Sequence, residues 1–216
     1  MKTKNVIALA VLSLIVFHTS IAQTKTSFSI RAGVNFQNIN GEDMLGDDLD
    51  WKLKTGFHIG AEADVPIATD FFIRPGVLFS TKGANLDDPD DTRINLSYIE
   101  VPISFTYKPV LGTGRLILGV GPYVAFAVGG KVKNGVDEDI EFENEISPAQ
   151  AISGTVFMKR FDAGGNIFFG YEFAQRIFAQ LNAQLGLVNI NPDIEGIDDD
   201  TKMKNTGFGI SIGYRF

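Results

Sequence analysis

The sequence predicts an all-β fold: an eight-stranded antiparallel up-and-down transmembrane β-barrel with short periplasmic turns and long acidic extracellular loops. Three observations predict it. Eight segments alternate bulky apolar residues with small or polar ones, the period of a strand with two unlike faces. Short and long connections alternate between them. The apolar parity of the segments is free of charge, while the other parity holds both acids and bases.

In chain order, residues 1–22 read as an export leader. Lys2 and Lys4 precede an apolar run at 6–17, and Ser20 and Ala22 place small residues where a signal peptidase reads. Cleavage is expected after Ala22, leaving residues 23–216 as one barrel domain. The apolar run of 12 residues is short of the roughly 20 a spanning helix needs. The longest uncharged runs elsewhere, 116–130 and 177–192, are also too short and are broken by Gly, Asn or Gln. Strands have to do the crossing, and half of each crossing strand is polar.

The first strand is expected at 27–37, with Phe28, Ile30, Ala32, Val34 and Phe36 on one face and Arg31, Gly33 and Asn35 on the other. The second, 55–65, opposes Phe57, Ile59 and Ala61 to His58, Glu62 and Asp64. The third, 71–82, opposes Phe71, Ile73, Val77 and Phe79 to Phe72, Arg74, Leu78 and Lys82; Pro75 lacks a ladder donor and marks an irregularity. The fourth, 96–108, sets Ile99, Val101, Ile103, Phe105 and Tyr107 against Glu100, Ser104, Thr106 and Lys108. The fifth, 115–129, sets Leu118, Val120, Val124 and Phe126 against Ile117, Tyr123 and Ala125. The sixth, 161–173, places Asp162, Phe168 and Glu172 on the inward parity. The seventh, 177–188, does the same with Phe178, Gln180 and Gln184. The eighth, 207–216, alternates Phe208, Ile210, Ile212, Tyr214 and Phe216 with Gly209, Ser211, Gly213 and Arg215.

The connections at 66–70, 109–114 and 174–176 are short; those at 38–54, 83–95, 130–160 and 189–205 are long. Strict alternation is the pattern of a membrane barrel with turns on one side and loops on the other. Residues 132–142 alternate in part, so the third long loop is a candidate hairpin. The charge pattern separates this barrel from a soluble one, in which apolar residues point inward. Here Glu62, Asp64, Glu100, Asp162 and Glu172 share the inward parity with Arg31, Arg74, Lys82, Lys108 and Arg215. An outward Lys or Arg at mid-membrane would cost about 2–4 kcal/mol.

Composition agrees. The chain has 23 Gly and 18 Phe, no Cys and a net charge of −7. Gly suits a crowded interior, the lack of Cys excludes a disulfide framework, and the acidic balance argues against nucleic acid.

Three segments, Tyr98-Ile99-Glu100-Val101-Pro102-Ile103, Gly119-Val120-Gly121-Pro122-Tyr123 and Arg160-Phe161-Asp162-Ala163-Gly164, resemble the PorT-like, porin-family outer-membrane β-barrel domain, in that family's order. The resemblance covers essentially the whole chain after the leader. It implies an integral protein of the outer membrane, in contact with outer-membrane lipid and lipopolysaccharide, whose terminal aromatic residue Phe216 is the signal read by the barrel-assembly machinery.

The candidate site is the lumen. Eight strands leave an interior just wide enough for side chains to fill. Arg31, His58, Glu62, Asp64, Arg74, Lys82, Glu100, Lys108, Asp162, Glu172 and Arg215 are expected there, with Phe72, Leu78, Tyr123, Phe168 and Phe178. A closed polar network in a structural or surface-interacting barrel is one reading; a narrow path for ions or small solutes is the alternative. A more remote one is a lipid-modifying enzyme, with His58 as base beside Glu62 and Asp64 and with Ser29 and Ser80 as neighbours. No nucleophile elbow accompanies it, so no catalytic residue and no cofactor is assigned. The long loops hold 20 of the 26 Asp and Glu residues, and divalent cations there are an expected partner. The barrel is expected to be a monomer.

Overall fold

The computed structural model describes residues 25–42, 46, 49, 51–86, 92–134, 136–197 and 199–216. The expected leader and its cleavage position at Ala22 lie outside the described residues. Eight long strands build the molecule: β1 (Ser27–Glu42), β2 (Lys54–Ala68), β3 (Phe71–Asn85), β4 (Arg93–Tyr107), β5 (Gly114–Asn134), β6 (Phe161–Glu172), β7 (Ile177–Gly186) and β8 (Lys202–Arg215). Each pairs antiparallel with its neighbour in sequence, and β8 returns to β1, so the sheet closes into a ring. At the seam Ser29 lies opposite Arg215 and Glu42 opposite Lys202. The Phe216 N–H donates to the Phe28 carbonyl at 2.8 Å. Closure leaves no unpaired edge in hydrocarbon, the condition for a β structure to cross a bilayer.

Face assignments follow the alternation. Outward side chains such as Val77, Ile167 and Ile212 are 55–62% exposed, whereas inward Lys82 and Asp162 are fully buried. An exposed apolar skin around a charged interior is inverted relative to a water-soluble barrel, and lipid supplies the missing partner. Outward aromatics gather in two belts. Near the short turns Phe71 stacks on Tyr107 at 4.6 Å, and Tyr171 meets Phe173 edge-on at 5.1 Å, as Tyr214 meets Phe216 at 5.4 Å. Toward the loops Phe36 stacks on Phe208 at 5.3 Å and Phe57 meets Phe79 at 5.8 Å. Such girdles mark the two membrane–water interfaces.

The turns are tight where short. Residues 69–70 connect β2 to β3, with Asp70 in the left-handed region at φ 62°. Strands on the opposite side run past the belt. β1 and β3 continue to Glu42 and Asn85, β4 begins at Arg93, β5 reaches Asn134 and β8 begins at Lys202. These five strands are therefore longer than expected at their extracellular ends, whereas β6 begins at Phe161 as expected and β7 stops two residues short, at Gly186. The third loop does begin as a hairpin: Val136–Asp139 folds back on β5, with Lys131 opposite Asp139. Beyond it, Glu141–Phe142 pairs in parallel with Phe157–Met158, and Glu145–Ile146 with Asp193–Ile194, tying the third loop to the fourth. A one-turn helix, Pro148–Ala151, sits between them. It is started by a capping box in which Ser147 and Gln150 satisfy each other's backbone N–H groups.

Candidate functional site

The lumen is filled in tiers. At the periplasmic end Arg74 donates Nε to Asp64 Oδ1 at 2.6 Å, and Lys108 Nζ bridges Asp64 at 2.8 Å and Glu172 at 2.7 Å. Glu172 also receives Arg215, whose Nε is 2.7 Å away. Strands β2, β3, β6 and β8 and the residue after β4 thus converge on two carboxylates. Apolar rings close the gaps between them: the Arg74 guanidinium lies 5.3 Å from the Phe168 centroid and Lys108 Nζ 5.7 Å from that of Phe72, while Phe168, Phe178 and Ile117 pack together.

In the middle tier Arg31 donates Nε to Glu62 at 3.0 Å and approaches His58 Nε2 with Nη1 at 3.2 Å. A guanidinium can only donate, so Nε2 presents its lone pair. The ring is then the neutral Nδ1–H tautomer, donating to Asn35 Oδ1 at 2.6 Å. Ser211 Oγ lies 2.7 Å from the same Nε2 and 3.2 Å from Asn182 Oδ1. Gly33 makes this possible. It pairs with both His58 and Ser211, and a Cβ there would stand 2.6 Å from the imidazole. With no side chain between them, β2 reaches β8 across β1. Ser80 is the ladder partner of His58, as the sequence suggested, but the serine bonded to the ring is Ser211. Ser29 pairs with Glu62, and Ser80 accepts from Asn35 Nδ2 at 3.1 Å.

In the third tier Lys82 Nζ sits 3.1 Å from both Glu100 Oε2 and Asp162 Oδ2, and 4.2 Å from the Tyr123 ring centroid. Asn205 Nδ2 donates to Asp162 at 3.0 Å, and Gln184 Nε2 to Glu100 at 2.6 Å. The two carboxylates offset the desolvation of the buried ammonium between them.

Above this tier the lumen turns apolar. Ile39, Ala84, Ile94, Leu96, Tyr98 and Val132 point inward from the strand extensions. Ile140, Met158 and Ile190 from the third and fourth loops pack onto them. This plug seals the extracellular end.

All eleven charged or imidazole residues expected in the lumen are brought inside, in two carboxylate-centred clusters and one around His58. Sequence reading missed Lys54, which is buried with Nζ 3.5 Å from the Lys82 carbonyl. Its parity with His58 and Glu62 was the available signal. It also missed Tyr98, Asn205 and Ser211 as members of the network, and the whole apolar plug. Among the described residues no group of three His, Asp or Glu side chains could hold a metal ion. Of the loop acids, Asp43, Asp47, Asp48, Asp50, Asp87, Asp88, Asp90, Asp91 and Asp198 lie outside the described residues. Several described loop acids are instead paired with lysines, as Glu42 is with Lys202 at 3.1 Å and Asp193 with Lys159 at 2.8 Å.

A closed antiparallel ring with a lipid-facing apolar skin, two aromatic belts and a charged, packed lumen defines an integral membrane β-barrel. The sequence matches the family model described as outer membrane protein beta-barrel domain over residues 21–191. The chain belongs to that family and is an integral protein of the outer membrane. No curated protein matches it significantly. Among solved structures it is similar to Neisserial surface protein A, at 14% identity and a TM-score of 0.47. It is also similar to Ail, the attachment invasion locus protein of Yersinia pestis, solved in complex with the heparin analogue sucrose octasulfate, at 14% identity and 0.41. A third is a major outer membrane protein from Thermus thermophilus, at 10% identity and 0.41. In each case 89% of this chain and 100% of the other is covered.

Proposed function

We propose that this barrel is a non-conducting anchor that holds a structured extracellular platform, with a structural or surface-interacting role in the envelope. One observation supports it above the others: the lumen is occupied along its length, by ion-pair tiers in the membrane and by the apolar plug above them. A solute would have to break buried charge pairs and then part an apolar core built partly by the third and fourth loops. The same two loops are tied to each other by short parallel strands and by the Lys159–Asp193 pair, which makes them one surface.

The Ser211–His58–Asn35 chain belongs to the network in this reading. Ser211 is 1% exposed and already bonded on two sides, which leaves no approach for a lipid ester. The narrower PorT-like affinity, removal of a leader after Ala22, and use of Phe216 by the barrel-assembly machinery are part of the same reading.

Refolded protein in a planar bilayer tests it. No steady single-channel openings are expected. Steady openings whose size changes in Glu100→Ala would establish an ion path through the third tier and defeat the proposal.

A further inference from the structure

The third and fourth loops carry charge of one sign. Residues 136–159 and 189–201 hold eleven acidic residues and one lysine. Asp137 and Asp139 are compensated by Lys133 and Lys131, and the one lysine, Lys159, is taken by Asp193. Among the described residues no ion pair involves Glu141, Glu143, Glu145, Glu195 or Asp199, and the first four are exposed.

Where the two loops join lies a pocket of about 180 Å³. The short parallel ladder that sets Ile146 opposite Ile194 builds it. Ile146, Phe157 and Ile194 give it an apolar lining, Ala151 at the end of the one-turn helix adds to that, and Asn191 and Asp199 supply polar atoms. Asp199 is held in place from within its own loop. Its Oδ1 accepts from the Thr201 N–H at 2.9 Å and its Oδ2 from Asn191 Nδ2 at 3.1 Å. Both donors are neutral, so they orient the carboxylate and leave its charge uncompensated.

The surroundings are apolar as well as acidic. Ile152, which follows Ala151, is 87% exposed, and Ile197, two residues before Asp199, is also exposed. These side chains stand in water, where burying them against a partner is favourable. The pocket is smaller than the roughly 300 Å³ of a site for a whole small molecule, which suits it to a single long side chain. An apolar lining with one carboxylate complements lysine, whose methylene stem packs on apolar surface while its ammonium keeps polar contact. A divalent cation fits less well, because among the described residues Asp199 is the only carboxylate lining the pocket. Uncompensated carboxylates around it draw in a cationic partner and orient its approach.

We propose that this pocket docks a lysine side chain of an extracellular basic polypeptide, its stem against Ile146, Phe157 and Ile194 and its ammonium on Asp199. Glu141, Glu143 and Glu145, along the segment that leads to Ile146, hold the flanking basic residues. The inference gives the surface-interacting platform its kind of partner and rests on that reading.

Fluorescence anisotropy of a labelled N-acetylated tetralysine amide tests it, with the refolded full chain in nanodiscs of zwitterionic phosphatidylcholine. The peptide should bind, and Asp199→Asn should weaken binding at least about tenfold, the loss of one hydrogen bond to a charged group. Ala151→Phe, which fills the pocket and leaves every carboxylate in place, should weaken it as much. Glu138→Gln, which removes an exposed charge that does not line the pocket, should change it less than about threefold. The same peptide acetylated on every Nε should not bind. Absence of tetralysine binding, or unchanged binding in either pocket variant, overturns the site. Equal binding of the Nε-acetylated peptide overturns recognition of the ammonium, and displacement by an equal concentration of spermine overturns the polypeptide assignment. Heat-modifiable gel mobility establishes that each variant is folded, and planar-bilayer recording of the same preparation separates the two readings. A silent bilayer without peptide binding counts against the pocket alone, whereas steady openings count against the non-conducting anchor.

Discussion

The part of the barrel inside the membrane and the part above it are built from the same strands with opposite polarity. Along β4, Ile99, Val101, Ile103 and Phe105 face out while Glu100, Ser104 and Thr106 face in; a few residues earlier Ile94 and Leu96 face in while Arg93, Asn95 and Ser97 face out. β1 makes the same change between Phe36 and Ile39, and β5 makes it through the bulge at Val128. On β1 and β4 the side chains keep their alternation across the boundary, so there the change follows the surrounding solvent; on β5 the bulge exchanges the faces. Lipid takes the apolar side chains of the lower part and leaves charges to pair inside. Water takes the charges of the upper part and leaves an apolar core inside. The inversion marks the hydrocarbon boundary on β1, β4 and β5. It also explains how one lumen can be sealed twice, by ion pairs and by packing.

If the lower lumen is held by compensated charge, removing one ion should cost more than any other single change. Lys82→Met leaves Glu100 and Asp162 buried without their cation. It should destabilise by about 3–5 kcal/mol in denaturant unfolding of the refolded protein; a change below ~1 kcal/mol would mean that water reaches that tier. The upper lumen should respond as an ordinary core. Leu96, 1% exposed in the plug, should lose about 2–5 kcal/mol on substitution by Ala in the same unfolding measurement, through lost burial and a cavity.

The outer surface sharpens the contrast. Ala32 and Asn40 both point outward on β1. Ala32→Arg should cost about 2–4 kcal/mol in lipid, and Asn40→Arg, beside Lys204 across the ladder, less than about 1 kcal/mol. Equal costs, read from unfolding midpoints in vesicles, would erase the boundary between them. Smallest of all is Lys202→Ala. Its ion pair with Glu42 is half exposed on both sides, and its loss should move stability by no more than about 1 kcal/mol in the same vesicle assay.

The inversion also accounts for what could be read in the sequence. Within the membrane the alternation of Phe28 to Phe36 or of Phe208 to Phe216 against small and polar residues fixes strand, face and topology directly, and the inward charges follow. Searching for apolar residues on the outward parity stops where that parity turns polar, which is why the strands read as ending near Gln37 and Gly129 and beginning near Leu96 and Gly207. Ile39, Ile94 and Val132 lie just beyond those points, on the other face. The partner of His58 was hidden for a different reason. Ser211 is 153 residues away, and the contact exists only because the ring closes in one register and Gly33 leaves room. A pairing across two strands is a property of the closed barrel, and no local pattern announces it.

Single-cysteine labelling along β4 tests the central claim most directly, because the chain has no Cys of its own. One cysteine at a time replaces each residue from 93 to 107, and the refolded protein in vesicles is treated with a membrane-impermeant maleimide. Positions 93, 95 and 97 should react, whereas the lipid-facing odd positions 99–105 and the inward even positions 94–106 should not. Reaction along the inward positions would reveal an open, water-filled lumen, and reaction at 101 and 103 would take β4 out of the membrane; either result would contradict a membrane barrel filled from end to end.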